Sequence, residues 1–267
     1  LDGLPGGTVR QYLTVLDARE HFGKEPLTTL ERMPALRKML DMTLEKVYLD
    51  WDNVEAVPGV FHFQWFEKEC EKASAGGAYD LAPVVGFSAD WAGPHAQEDV
   101  RKGTYTRFMG NYLQVPLRLC DWSRYVREML REYGGGRFSQ WIFWQNPDLV
   151  GGPQGVPPEK YTAMLDLFCK WVKMYDPEAR VVAGGFNLDK ALPYLAGFED
   201  PAALKFDDIS VQASVGELSP ERADIEGFLD ELNRVLQLSE TKRNVLVTQL
   251  DWPIGDYVSP GQQAAYH

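Results

Sequence analysis

The sequence predicts an α/β fold, a closed barrel in which strands and helices alternate, and three observations predict it. Short β-type apolar runs alternate with helix-length amphipathic stretches along nearly all of the chain. No phosphate-cradling glycine loop follows a strand, since Gly134, Gly135 and Gly136 precede one, which disfavours a nucleotide-binding open sheet. The chain has 267 residues, 45% of them hydrophobic and 25% charged, which is enough to bury a full core. Barrels of this kind use roughly 250 residues as one unit, so a single domain over residues 1–267 is expected.

The runs that read as strands are 9–16, 46–49, 81–87, 140–144, 180–184, 208–212 and 244–248. Between them, amphipathic spacing bounded by Gly, Pro and Asp predicts helices at about 27–41, 66–75, 122–133, 158–175, 189–195 and 221–238. The third and fourth connections carry the long insertions.

Composition removes several classes of function. With 39 acidic against 27 basic residues the net charge is −12, and clustered Lys and Arg for a phosphate backbone or an anionic membrane are missing. Neither nucleic acid nor a membrane is expected as a partner. No apolar run approaches the roughly 20 residues that span a bilayer, and Leu1 to Gly7 lack the regions of a signal peptide. The chain is expected to be soluble and to have shed any export signal. Cys70, Cys120 and Cys169 are odd in number, lack metal-ligand spacing and read as buried thiols, leaving the redox compartment open. No metal and no cofactor are expected.

Functional groups of a closed barrel collect where the strands end. There the sequence places Glu20, His21 and Phe22; Asp50, Trp51 and Asp52; Ser88, Asp90 and Trp91; Trp144, Gln145, Asn146, Pro147 and Asp148. The later runs end in Phe186 and Asn187, in Gln212 and Ser214, and in Gln249, Asp251 and Trp252. Flat apolar faces mixed with bidentate hydrogen-bonding groups suit a ligand with hydroxyls on a ring, a carbohydrate. For any single Trp, core packing is the plainer reading, and a lone His such as His21 is more often a satisfied core residue. The grouping as a whole points to a sugar.

Several of these segments resemble clan A glycoside hydrolases, and family 39, typified by β-xylosidases, in particular. Trp51-Asp52-Asn53-Val54-Glu55-Ala56-Val57-Pro58-Gly59-Val60-Phe61-His62-Phe63 is similar to the stretch that follows the second strand in that family. Pro83 to Phe87 with Asp90-Trp91 resembles the third strand. Trp141-Ile142-Phe143-Trp144-Gln145-Asn146-Pro147-Asp148 resembles the fourth-strand motif W-x-x-W-N-E-P-D, and Val245 to Pro253 resembles the seventh-strand motif with its Thr-Glu pair. The resemblance implies a (β/α)8 TIM barrel and retaining hydrolysis of a polysaccharide or oligosaccharide. It implies a general acid/base at the end of strand four and a nucleophile at the end of strand seven, about 5–5.5 Å apart.

Neither position holds a carboxylate. Anchored on Pro147, the acid/base place falls on Asn146, with Gln145 where the family has Asn; the nucleophile place is Gln249. An amide can neither protonate a leaving oxygen nor attack an anomeric carbon, so the chain as written is expected to be inactive. Two explanations stand. Gln145 and Gln249 are Glu-to-Gln replacements in a parent enzyme, which is the preferred reading because it keeps shape while removing charge; or the chain is a natural pseudoenzyme that binds carbohydrate without cleaving it.

Their strand-end places make His21, Trp51, Trp91, Trp144, Asn187, Gln212 and Trp252 the candidate substrate-binding residues, and the resemblance puts Gln145, Gln249 and Asn146 at the catalytic places. Relatives carry a His followed by an aromatic on strand six, where this chain has Gln212, Ala213 and Ser214. After Gln262 to His267, similar to the start of helix seven, no eighth strand follows, so a truncated barrel is expected. A secreted or periplasmic location is implied by the family alone.

Overall fold

The computed structural model describes residues 44–74, 80–94, 114–149, 155–214 and 223–251. The expected strand at 9–16, the expected helix at 27–41, His21 and Trp252 lie outside the described residues.

Six strands form one parallel sheet in sequence order: β1 (Leu44–Asp50), β2 (Asp80–Gly86), β3 (Gln140–Phe143), β4 (Arg180–Asn187), β5 (Asp208–Ser214) and β6 (Asn244–Asp251). Each strand bonds the one that follows it, as in a (β/α)8 barrel; a doubly wound sheet would reverse its order. Between the strands run α1 (Trp51–Val54), α2 (Gln64–Ser74), α3 (Leu119–Tyr133), α4 (Pro158–Tyr175), α5 (Ala191–Leu195), α6 (Ile225–Leu236) and α7 (Leu238–Thr241). No described helix is long and apolar enough to cross a membrane.

The helices follow from spacing and caps. On α3, Trp122, Tyr125, Val126, Met129, Leu130 and Tyr133 recur at three- and four-residue steps and are all buried. Helix α4 opens on Pro158, whose fixed φ and missing N–H suit the first turn. The expected helix at 221–238 is two helices. Gln237 takes a left-handed backbone (φ 49°), ending α6 and opening α7, while the side chain of Asp224 caps α6 by accepting from Gly227 N.

Strand faces alternate between two cores. Leu44, Ala82, Val84, Ile142, Val182 and Leu246 pack together on the inner face, with Tyr48 against them. Val47, Leu49, Val85, Trp141, Phe143, Val181, Ala183, Ile209 and Val211 face the helices in the larger cluster. At the strand starts, the buried carboxylate of Asp208 accepts from Arg180, from Asn244 N at 2.9 Å and from Asn244 Nδ2 at 2.8 Å, tying β4, β5 and β6 together.

Two expectations need correction. Cys120 is exposed at the start of α3, whereas Cys70 and Cys169 are buried. The position Cys120 takes, one residue into an amphipathic helix, precedes the buried stripe that begins at Asp121. Strand β3 ends at Phe143 rather than Trp144, because Trp144 adopts φ 50° and leaves the pleat.

Candidate functional site

Irregular backbone accumulates where β2 to β6 end. Phe87, just after β2, has φ 60°; Trp144 and Asn146, just after β3, have φ 50° and 55°. In β4 the register shifts between Gly184 and Phe186, and the β5–β6 ladder shifts after Val211, so that Gln212 pairs with Gln249. Bulges and left-handed residues re-aim side chains, and five neighbouring strands carry one or take part in one.

The effect is clearest at Trp144. Plain alternation after inward Ile142 and outward Phe143 would turn Trp144 in and Gln145 out. The left-handed residue reverses this: Trp144 joins the outer core against Trp122, Phe143 and Phe87, and Gln145 meets the inward Tyr48. The Tyr48 hydroxyl donates to Gln145 Oε1 at 2.8 Å. Gly86 permits this close passage of β2 and β3, since a Cβ there would lie 3.0 Å from Trp144 Cα.

Gly185, with φ 109°, lies beneath two amides. A Cβ on it would approach Gln145 Cγ to 2.9 Å and Gln212 Nε2 to 3.1 Å, so both side chains fold over the same glycine. Both glutamines are buried, and Gln212 Nε2 has no hydrogen-bond partner among the described residues. Buried donors are normally satisfied, and an orphan at a strand end is a ready contact for a ligand acceptor. Gln249 is the Cα partner of Gln212 across the ladder, which places it at the same height on the next strand.

Asn146 donates its backbone N–H to Gly185 O at 3.3 Å, and its Oδ1 accepts from Asn187 Nδ2 at 3.4 Å. Asp148 accepts from Asn187 twice, from N at 2.6 Å and from Nδ2 at 2.7 Å. Burial pushes the Asp148 carboxyl up from 3.8 to about 6, against the lowering effect of the Asn187 bonds.

The tryptophans divide. Trp51 and Trp144 are fully buried, and Trp51 stacks on Tyr125 at 4.9 Å and donates to Glu55 Oε2 at 2.7 Å. These two therefore pack the core and offer no face to a ring, which corrects their expected place among substrate-binding residues. Trp91 is half-buried; its Nε1 donates to Glu55 O at 2.6 Å, the Arg124 guanidinium lies 5.5 Å from its ring, and Trp51 meets it edge-on. Glu55 anchors this loop, its fully buried carboxylate also accepting from Gly59 N at 2.6 Å and Arg124 Nη2 at 2.7 Å. Of the other strand-end carboxylates, Asp52 accepts from Asp90 N, tying the loop after β1 to the loop after β2, and Asp50 accepts from Asn53 Nδ2.

The structure thus brings Gln145, Asn146, Asn187 and Gln212 together. Sequence reasoning missed Tyr48, which reads as one more core residue of an apolar strand, and Gly185, whose only signal was the Gly184-Gly185 pair inside a strand run. Among the described residues, no three His, Cys, Asp or Glu side chains group as metal ligands.

No protein-family model and no curated protein matches the sequence. Solved structures do match its fold. A family 39 glycoside hydrolase from the gut symbiont Bacteroides cellulosilyticus aligns with 97% of this chain and 52% of its own, at 17% identity and TM-score 0.59. A family 39 β-xylosidase from Caulobacter crescentus aligns with 98% of this chain and 58% of its own, at 14% identity and TM-score 0.65. A family 10 endoxylanase from a sugarcane soil metagenome aligns with 94% of this chain and 70% of its own, at 11% identity and TM-score 0.52. The fold is therefore that of the TIM-barrel glycoside hydrolases, and the resemblance to family 39 holds at the level of architecture. The chain spans about half the length of the two family 39 structures.

Proposed function

We propose that this barrel binds a polysaccharide or oligosaccharide at its strand ends, and that it derives from a retaining glycoside hydrolase with Glu at positions 145 and 249. The observation that carries the reading is the left-handed Trp144, which turns Gln145 inward beside Tyr48 and over Gly185, next to Gln212. Such a turn explains how an acid one place before the usual position can serve the site. A glutamate at 145 would accept the same Tyr48 bond, and a glutamate at 249 would stand in register with Gln212.

In that parent reaction the 249 carboxylate attacks the anomeric carbon while the 145 carboxyl protonates the departing oxygen; the 145 carboxylate so formed then takes a proton from water as the water attacks the anomeric carbon and the bond to the 249 carboxylate breaks. As written, Gln145 and Gln249 permit binding and positioning only. Asn146, Asn187 and Gln212 are the proposed hydroxyl contacts, with Trp91, His21 and Trp252 as further ring contacts. Xylan-type chains are the first substrates to try, by analogy with the xylosidase and xylanase neighbours. Secretion fits such a substrate.

A natural pseudoenzyme is the second reading, supported by Gln212, a third buried amide beside Gln145 on the same rim. The test is restoration: Gln145→Glu with Gln249→Glu, assayed on aryl glycosides and polysaccharides. Turnover by that pair is expected. Turnover by Asn146→Glu with Gln249→Glu instead would move the acid to 146, and silence with retained sugar binding would favour the pseudoenzyme.

A further inference from the structure

The carboxylate of Asp148 plays no part in the chemistry above, yet it is 5% exposed and spends both oxygens on a single neighbour. Oδ2 accepts from the Asn187 backbone at 2.6 Å, and Oδ1 accepts from its Nδ2 at 2.7 Å. The same Nδ2 makes a longer contact, 3.4 Å, to Asn146 Oδ1. Asp148 follows the β3 turn and Asn187 ends β4, so this pair of bonds joins the two strand tips beyond their ladder, beside the bond from Asn146 N to Gly185 O.

We propose that Asp148 is a positioning residue for the sugar site: its charged carboxylate fixes the Asn187 amide against Asn146 and so holds the β3–β4 rim in its binding geometry. This rests on the carbohydrate reading of the site. Asp189, after β4, opposes its charge and pairs with Lys190 at 3.7 Å; Tyr161 of α4 and Tyr194 of α5 also face it, and burial holds both phenols protonated. With its pKa about 6, Asp148 changes charge within the range where sugar binding is readily measured. Protonation converts one acceptor oxygen into a donor facing a donor, which breaks one of the two bonds to Asn187.

The sign follows. The carboxylate form dominates above pH 6, so binding strengthens as pH rises, by roughly tenfold between pH 5 and pH 7.5 if only the charged form holds the rim. The test is calorimetric titration of the whole chain with xylotetraose across that range, beside Asp148→Asn and Asn187→Ala. Weaker binding with a flat profile is expected from both variants. In the free protein, the Asn187 side-chain amide NMR signals should shift with a midpoint near pH 6, a readout that needs no ligand. Three results would overturn the inference: wild-type binding that ignores pH, an Asp148→Asn protein that keeps the wild-type profile, or an Asn187 midpoint near 4. Sugar binding that persists while its pH dependence fails removes this inference alone. Failure of xylotetraose and every other sugar to bind at any pH removes the carbohydrate reading and this inference with it.

Discussion

Tyr48 Oη lies 2.8 Å from Gln145 Oε1, joining two residues 97 positions apart in the chain. The bond exists because the residue before Gln145 has a left-handed backbone, and it defines which of the two neighbouring amides looks into the barrel. Removing the hydroxyl should therefore be felt both in stability and at the site. Tyr48→Phe leaves the Gln145 carbonyl unpaired, at a cost of about 1–3 kcal/mol, or about 2–8 °C in Tm for a chain of this size. Thermal unfolding measures the first effect. Weakened xylotetraose binding measures the second, and unchanged affinity would remove Tyr48 from the site.

Gly185→Ala is expected to be worse than its size suggests. Its φ of 109° is strained for any side chain, and the added methyl meets Gln145 and Gln212 within 3.1 Å. A destabilisation of roughly 1–3 kcal/mol follows, with loss of sugar binding at temperatures where the protein is still folded. Urea unfolding and calorimetry separate the two.

Glu55 presents a different failure. Its carboxylate, wholly buried, is neutralised by Arg124 and bonded by Trp51 and Gly59. Truncation to Ala leaves the buried Trp51 Nε1 and Gly59 N without their acceptor, while Arg124, a third exposed, keeps Asp121, and the loss costs roughly 1–3 kcal/mol. The urea midpoint should fall with the slope unchanged.

Asp148 makes stability depend on pH in the direction opposite to a salt-bridged carboxylate. Its folded pKa, about 6, lies above the ordinary 3.8, so the native state holds the proton more tightly than the unfolded chain. Between about pH 4 and pH 6 stability should fall as pH rises, by up to about 3 kcal/mol in all from this group. The difference in unfolding free energy between wild type and Asp148→Asn, followed across that range, isolates this contribution; a difference that does not vary with pH contradicts it.

Thiol chemistry offers a check on the fold. Cys120 is exposed, whereas burial pushes Cys70 up to about 11 and Cys169 up to about 12. One thiol should react with an aromatic disulfide in the native protein, and the remaining two only after unfolding.

Much of the architecture was legible in the sequence. A parallel sheet covered on both faces writes its strands as apolar runs, and the runs at 46–49, 81–87, 140–144, 180–184, 208–212 and 244–248 each fall on a strand. The strand tips were less legible. Alternation predicts an outward Gln145, and the pairing of Trp144 N with Val85 O and Asn146 N with Gly185 O, between residues distant in the chain, supports the turn that reverses it. Tryptophan count gave no guide to exposure: Trp51 and Trp144 both stand at strand ends and are packed in the core. Gln212 and Asn187 stand out in the sequence because they end strands, while Tyr48 lies mid-strand among aliphatic residues and carries no such mark.

The inward turn at residue 145 is a property of the main chain around Trp144, Gly86 and Gly185, and it does not depend on which planar side chain occupies the place. Glutamate and glutamine codons differ by a single base. On the proposed reading, a lineage carrying this kink needs one base change to regain a carboxyl at 145 and a second, independent one at 249, and neither requires the scaffold to be rebuilt.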